Sequence, residues 1–123
     1  MNARSVLGAI AIGRLLFGLW MLVSPRDVAR RWVGRDADSD AAGVITRALG
    51  GRDVALALAS LEAVRSERDP APWLAAGVFV DGVDAVSTFV ATEVSLRQRL
   101  VGAAAALLGV VANLFGLGLT DQD

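Results

Sequence analysis

Arg47-Ala48-Leu49-Gly50-Gly51-Arg52-Asp53-Val54-Ala55-Leu56-Ala57 sets two arginines and an aspartate in the middle of an apolar run. The whole run, residues 41–64, reads as one helix, with Glu62 near its end. At about 1.5 Å per residue it is long enough to cross a bilayer core of about 30 Å. Two other apolar runs carry charge in the same way. Arg14 interrupts residues 5–23, and Asp81 with Asp84 interrupts residues 71–92. Lipid offers no partner to a guanidinium or a carboxylate, so these charges are expected to face the interior of a helical membrane bundle.

Composition supports a membrane setting. The 123 residues make one domain, 54% of them apolar, and the mean hydropathy of +0.53 is high for a soluble protein. The chain has no Cys and no His. That removes disulfides, thiol nucleophiles, the usual catalytic base and the usual metal ligands, so no cofactor and no metal are expected. All 12 basic residues are Arg, which excludes Schiff-base chemistry and denies a buried cation the option of losing its proton. A net charge of −1 argues against nucleic acid as a partner.

The first run could be a secretory signal, but no A-x-A site follows and Arg14 splits its apolar core, so a retained span is expected. Ser24-Pro25-Arg26-Asp27 reads as a fresh helix start, with Ser as N-cap, Pro at the first position and Asp closing a capping box. Residues 25–34 then place Val28, Ala29, Trp32 and Val33 on one face, with Arg26 and Arg30 away from it. A short amphipathic helix on the membrane surface is expected, ended by Gly34. Residues 35–40 form an acidic loop.

Beyond the second run, the polar hinge 65–69 leads to Asp69-Pro70, a helix-start pair. Trp73 at the mouth of the third run and Trp20 near the end of the first suit interfacial anchors. Ser95-Leu96-Arg97-Gln98 is a second capping box. It opens a last span, residues 96–119, whose part from 100 to 119 carries no charge. A polar tail, Asp121-Gln122-Asp123, follows. The expected fold class is therefore all-α: an antiparallel four-helix transmembrane bundle with a surface helix after the first span. Six arginines flank the spans on the side of the first and third loops, against three on the other. The positive-inside rule then puts both termini outside the cytoplasm.

Depth links the charges. Arg14, Arg52, Asp53, Asp81 and Asp84 all lie near the midpoint of their runs, and Arg47 brings the group to three Arg against three Asp. Six unpaired charges at that depth would cost on the order of 15–20 kcal/mol, so pairing is required. Small neighbours are expected to let Arg47 point inward, with Gly43 at i−4 and Gly50 and Gly51 at i+3 and i+4. Arg52, about 140° further round the helix, is the harder one to place. On the last helix Gly102, Ala105, Gly109, Ala112 and Gly116 make a small-residue face for packing within the bundle or for a homodimer, and Asn113 flanks it.

The sequence resembles a family of small, uncharacterised four-span integral membrane proteins of actinobacteria. The resemblance rests on the Arg-x-x-Gly-x-Arg-Asp pattern of residues 47–53, on Asp81-x-x-Asp84, and on the Leu22-Val23-Ser24-Pro25 ending of the first span. It implies a plasma-membrane location and no particular activity. Two readings of the polar centre formed by Arg14, Arg47, Arg52, Asp53, Asp81, Asp84 and Asn113 follow from the residues themselves. It either holds the fold or an accessory-subunit core together, or forms a proton-linked site in a small carrier or binding protein. A lipid-modifying enzyme is less well supported, because two carboxylates one turn apart are too few for a metal–diphosphate site.

Overall fold

The computed structural model describes residues 2–121, with side chains at every position in that range except 36. The end of the expected polar tail, beyond Asp121, lies outside the described residues. Five α-helices follow one another: α1 Ala3–Val23, α2 Pro25–Val33, α3 Asp40–Arg65, α4 Ala71–Val90 and α5 Leu96–Thr120. The acidic stretch before α3 is a 3₁₀ turn, Gly34–Asp38, rather than an open loop. No strand occurs among the described residues.

Local chemistry sets the helix ends. Asn2 accepts from the backbone N–H of Ser5, Ser39 from Ala42 and Ser95 from Gln98, each satisfying a donor the first turn leaves free. The capping box expected at Ser24 does not form: Ser24 stands at the N-cap with Pro25 after it, but its side chain makes no cap hydrogen bond. Its backbone N–H is engaged with Trp20 instead, closing α1, so one residue serves two helices. Asp69 is likewise one place out, since it accepts from Ala71 while Pro70 holds the N-cap position. Gly34 ends α2 at φ 73, a conformation that favours glycine. The Gln98 side chain packs directly on it, where a Cβ would stand.

The helices associate as two close pairs, α1 with α3 and α4 with α5. In the first pair Gly18 and Gly50 meet backbone to backbone. A Cβ on Gly18 would lie 2.9 Å from the Gly50 carbonyl, and one on Gly50 would lie 2.8 Å from the Gly18 carbonyl. With Arg4 on Glu67 and Arg14 on Asp53, rising numbers in α1 meet falling numbers in α3, so the two helices run in opposite directions. In the second pair Gly116 packs on Leu74, Gly109 on Asp81 and Gly102 on Thr88, and the directions are again opposite.

Each long helix buries a seam with heptad-like spacing. On α3 the seam is Gly43, Thr46, Gly50, Asp53, Ala57, Ser60 and Ala63; on α4 it is Leu74, Gly77, Asp81, Ala85 and Thr88. The buried apolar residues are mostly alanines, while Asp53, Asp81, Asn113, Thr46, Ser60 and Thr88 are buried polar groups. The outside carries the large apolar side chains: Leu16, Phe79 and Leu108 are 63%, 71% and 71% exposed. An interior of small and polar residues inside an exterior of large apolar ones is the reverse of a water-soluble domain, and exposed apolar surface on this scale marks contact with lipid or partners. By length and composition, α1, α4 and α5 are able to cross a membrane. The 26 residues of α3 are long enough, but Arg47, Arg52 and Asp53 break its apolar run.

The apolar face of α2 is assembled as expected but points elsewhere. Val28 and Ala29 are buried, and Trp32 donates from Nε1 to Thr88 Oγ1 at 2.9 Å. The helix lies over the protein's own helices and not with its apolar face in lipid. One residue separates it from α1, and the 3₁₀ turn leads straight to α3, so short tethers hold this face against the bundle.

Candidate functional site: a charged chain beneath an apolar cavity

Five side chains from α1, α3 and α4 form a chain of alternating charge: Asp81, Arg14, Asp53, Arg52, Asp84. Arg14 Nη1 donates to Asp53 Oδ1 at 3.0 Å, and Arg14 Nη2 donates to Asp81 Oδ2. Arg52 donates to the same Asp53 oxygen from Nε at 3.3 Å and Nη2 at 3.2 Å. It also grips Asp84 at two points, Nη1 to Oδ1 at 3.2 Å and Nη2 to Oδ2 at 2.7 Å. The fork of guanidinium donors suits such two-point contacts.

Neighbouring glycines and one amide seat the chain. Asp81 Oδ2 lies on Gly109, at the place a side chain would occupy. Asn113 Nδ2 donates to that oxygen at 3.2 Å and to the Gly109 carbonyl at 2.8 Å. The Asn113 amide itself fits over Gly77, where a Cβ would come within 2.6 Å of its Oδ1. No buried side-chain polar atom among the described residues lacks a hydrogen-bond partner. Full pairing matters here, because an unpaired ion in a low-dielectric interior costs several kcal/mol.

Arg47 is not part of this chain. It is exposed, and it makes no ion pair among the described residues. Its guanidinium turns back to 3.9 Å from where a Gly43 Cβ would be, toward the α2 end, in a surface recess it shares with Arg26, Arg30 and Asp40. The expectation that Arg47 points inward and Arg52 is the awkward one is thus reversed. The seam runs through Thr46 and Asp53, one position away from the line that would have included Arg47. Arg52, next to Asp53, flanks the seam and reaches α4.

Arg14, Arg52, Asp53, Asp81, Asp84 and Asn113 are brought together; Arg47 is not. The correction changes the charge. Two guanidiniums face three carboxylates, so the group carries a formal −1 where an even count had been expected. The side chain of Asp84, at 19% exposure, is the most open carboxylate, against 6% for Asp53 and 11% for Asp81.

A cavity of about 700 Å³ opens above the chain, and all five charged residues and Asn113 line it. Its walls are apolar, with Ile10, Phe17, Leu49 and Leu108 among them, and α2 covers it with Val28, Trp32 and Val33. Trp32 was read from the sequence only as part of an amphipathic face, and its bond to Thr88 gave no local signal. The small-residue face of α5 is used within the chain. Gly102, Gly109 and Gly116 pack on the groups described above, while Ala105 and Ala112 line the cavity. No group of three or more acidic residues is placed to hold a metal ion among the described residues.

The architecture and the site together define a small helical protein that fits a membrane setting, with Arg/Asp ion pairs buried between its helices. No family model matches the chain, and neither curated proteins nor solved structures provide a match.

Proposed function

We propose that the chain is a four-span plasma-membrane protein that binds an apolar ligand in the cavity between its helix pairs, above the charged chain. The fourth span is α3. Its charged Arg52 and Asp53 are turned inward, and Val44, Ala48, Ala55 and Leu58 on its outer surface are exposed, so hydropathy understates how apolar its outside is. Arg47 lies within two turns of the α3 start and is long enough to reach the interface. The arginine-rich α2 side faces the cytoplasm in this reading, which leaves both termini outside.

The observation that carries the binding reading is the cavity itself. A network serving only to hold helices in register needs no space beside it. Here about 700 Å³ adjoins the network, within the range of about 300–1,000 Å³ that takes small organic molecules. Apolar walls with a few convergent polar groups are the usual composition of such a site. The ion pairs also fix helix register, a role buried charges can play without adding net stability.

The test uses Ala105→Phe, which adds a ring to the cavity wall at a residue that is itself exposed and makes no hydrogen bond through its side chain. Protein extracted from native membranes and released from detergent in a mass spectrometer is expected to retain a small-molecule adduct. In the Ala105→Phe protein the adduct is expected to be lost while the melting temperature is kept. An adduct of equal occupancy in both proteins would place the ligand elsewhere and end this reading.

A further inference from the structure

We propose that the ligand of this cavity is a lipophilic monocation, held by its positive group at the Asp84 end of the charged chain and exchanged there for one proton. The inference rests on the binding reading above and adds the charge of the ligand.

The argument begins with the count. Asp81, Arg14, Asp53, Arg52 and Asp84 alternate in sign and start and finish with a carboxylate. A chain of that kind is one negative charge in excess. Every other group facing it is neutral: Asn113 and Gly109 from α5, Thr88 from α4 and Thr46 from α3, while α2 presents Val28, Ala29, Trp32 and Val33. No further cation reaches the chain among the described residues, since Arg47 faces the outside. An uncompensated charge at the middle of a bilayer is costly. Compensation comes either from a proton taken from solvent or from a cation that enters with the ligand.

The geometry favours an organic cation over the alternatives. An anion would enter a group that already has more carboxylates than guanidiniums, since Arg14 and Arg52 each hold two carboxylates. A metal ion finds the carboxylates interleaved with guanidiniums and not pooled, and no acidic group of three could hold it among the described residues. A cation with an apolar body matches both the walls and the floor. Asp84 lines the cavity and is the more exposed end of the chain, while the other end, Asp81, is packed against Asn113 and Gly109. Aromatic faces add to the site: Phe17 and Trp32, with ring centroids 6.5 Å apart, both line the cavity, and such rings attract cations.

The exchange balances simply. In the proposed exchange one proton from solvent balances the ligand-free site and returns to solvent when the cation binds, so the site stays neutral. Both forms avoid a buried net charge.

The experiment compares tetraphenylphosphonium with tetraphenylborate, two ions of one shape and opposite charge. Binding is measured by titration calorimetry on the purified full chain in detergent, with empty micelles and the Ala105→Phe protein as background. The phosphonium is expected to bind at least tenfold more tightly than the borate. Its affinity is expected to rise with pH, and about one proton per ion is expected to be released, read from the dependence of the heat on buffer. Asp84→Asn, which equalises the charges, is expected to cost at least tenfold in phosphonium affinity and to abolish the proton release. If that variant does not fold, the two ions and the proton count on the native chain decide alone. Equal binding of both ions, lost in Ala105→Phe, would overturn the cation inference and leave the cavity reading standing. Phosphonium binding without proton release overturns the exchange. No saturable binding of either ion overturns the cation inference, and the adduct measurement on Ala105→Phe then judges the cavity reading separately.

Discussion

Arg47 and Arg52 lie five residues apart on α3 and end in opposite surroundings. Arg52 is gripped by Asp53 and Asp84 inside the bundle; Arg47 is exposed on the outside and folds back over Gly43. The same residue type on the same helix is therefore expected to respond differently to truncation. Arg52→Ala leaves Asp84 without an ion-pair partner. Breaking a buried pair costs about 3–5 kcal/mol, and the partial exposure of Arg52 puts the loss at the lower end of that range. Arg47→Ala is expected to fall within about 0.5 kcal/mol, as for a surface change. Melting in a mild detergent distinguishes them, and equal losses for both would be at odds with the structure.

Gly50 and Gly51 give a second contrast between neighbours. A Cβ on Gly50 would stand 2.8 Å from the Gly18 carbonyl and from Met21 Cβ, whereas one on Gly51 meets nothing within 4 Å. Gly50→Ala must push α1 away from α3, and overpacking of this kind costs about 1–3 kcal/mol. Gly51→Ala is expected to be neutral or to stabilise by up to about 1 kcal/mol through helix propensity. Thermal unfolding of the two variants under one condition is the check; a neutral Gly50→Ala would mean that this crossing is looser than described.

Trp32 is the link between α2 and α4. Trp32→Phe keeps the ring and removes the donor to Thr88 Oγ1, a bond worth about 0.5–1.5 kcal/mol. Global stability is expected to change by no more than that. Amide exchange in residues 25–33 is expected to quicken by about three- to tenfold, the equivalent of that energy, with α1 and α3 unchanged. Unaltered exchange in α2 would show that its apolar face alone holds the cover shut.

Asn113→Leu removes the amide that closes the Asp81 end of the chain. A hydrogen bond to a charged group is worth about 1.5–3 kcal/mol, and a loss of that size is expected on melting. Asn113→Gln moves the amide by one methylene toward Gly77, where the fit is already close, so it is not expected to rescue. Full rescue by Gln would place the amide's role in simple polarity and not in the seat described here.

The apolar exterior gives the coarsest expectation. Removal of amphiphile exposes Leu16, Phe79, Leu108 and their neighbours to water, and association is expected to follow. Size-exclusion chromatography in plain buffer tests it. A monodisperse monomer there would contradict the membrane setting altogether.

Much of the architecture was legible in the residue order. The five helices fall within a few residues of the runs, because apolar length, Pro25, Gly34 and the cap at Ser95 act over one turn, while the cap at Ser39 falls in a stretch that reads as loop. The common depth of Arg14, Asp53 and Asp81 was also legible, since each sits near the middle of its own run. The Ser24 capping box was not, because the closing turn of α1 takes the backbone N–H of that residue. Nor was the cover formed by α2, whose partner at Thr88 is 56 residues away.

The sequence by itself determined how many helices there are, where they begin and end, and that charge had to be met by charge between them. Those are properties of hydropathy and local hydrogen bonding, and a single strand of text contains them. Only the tertiary structure decided which arginine of α3 turned inward, and with it the sign left over at the centre. A helix with small residues on several sides can be rotated about its axis at little local cost. The close meeting of Gly18 with Gly50 selects one rotation, and that contact joins residues 32 positions apart.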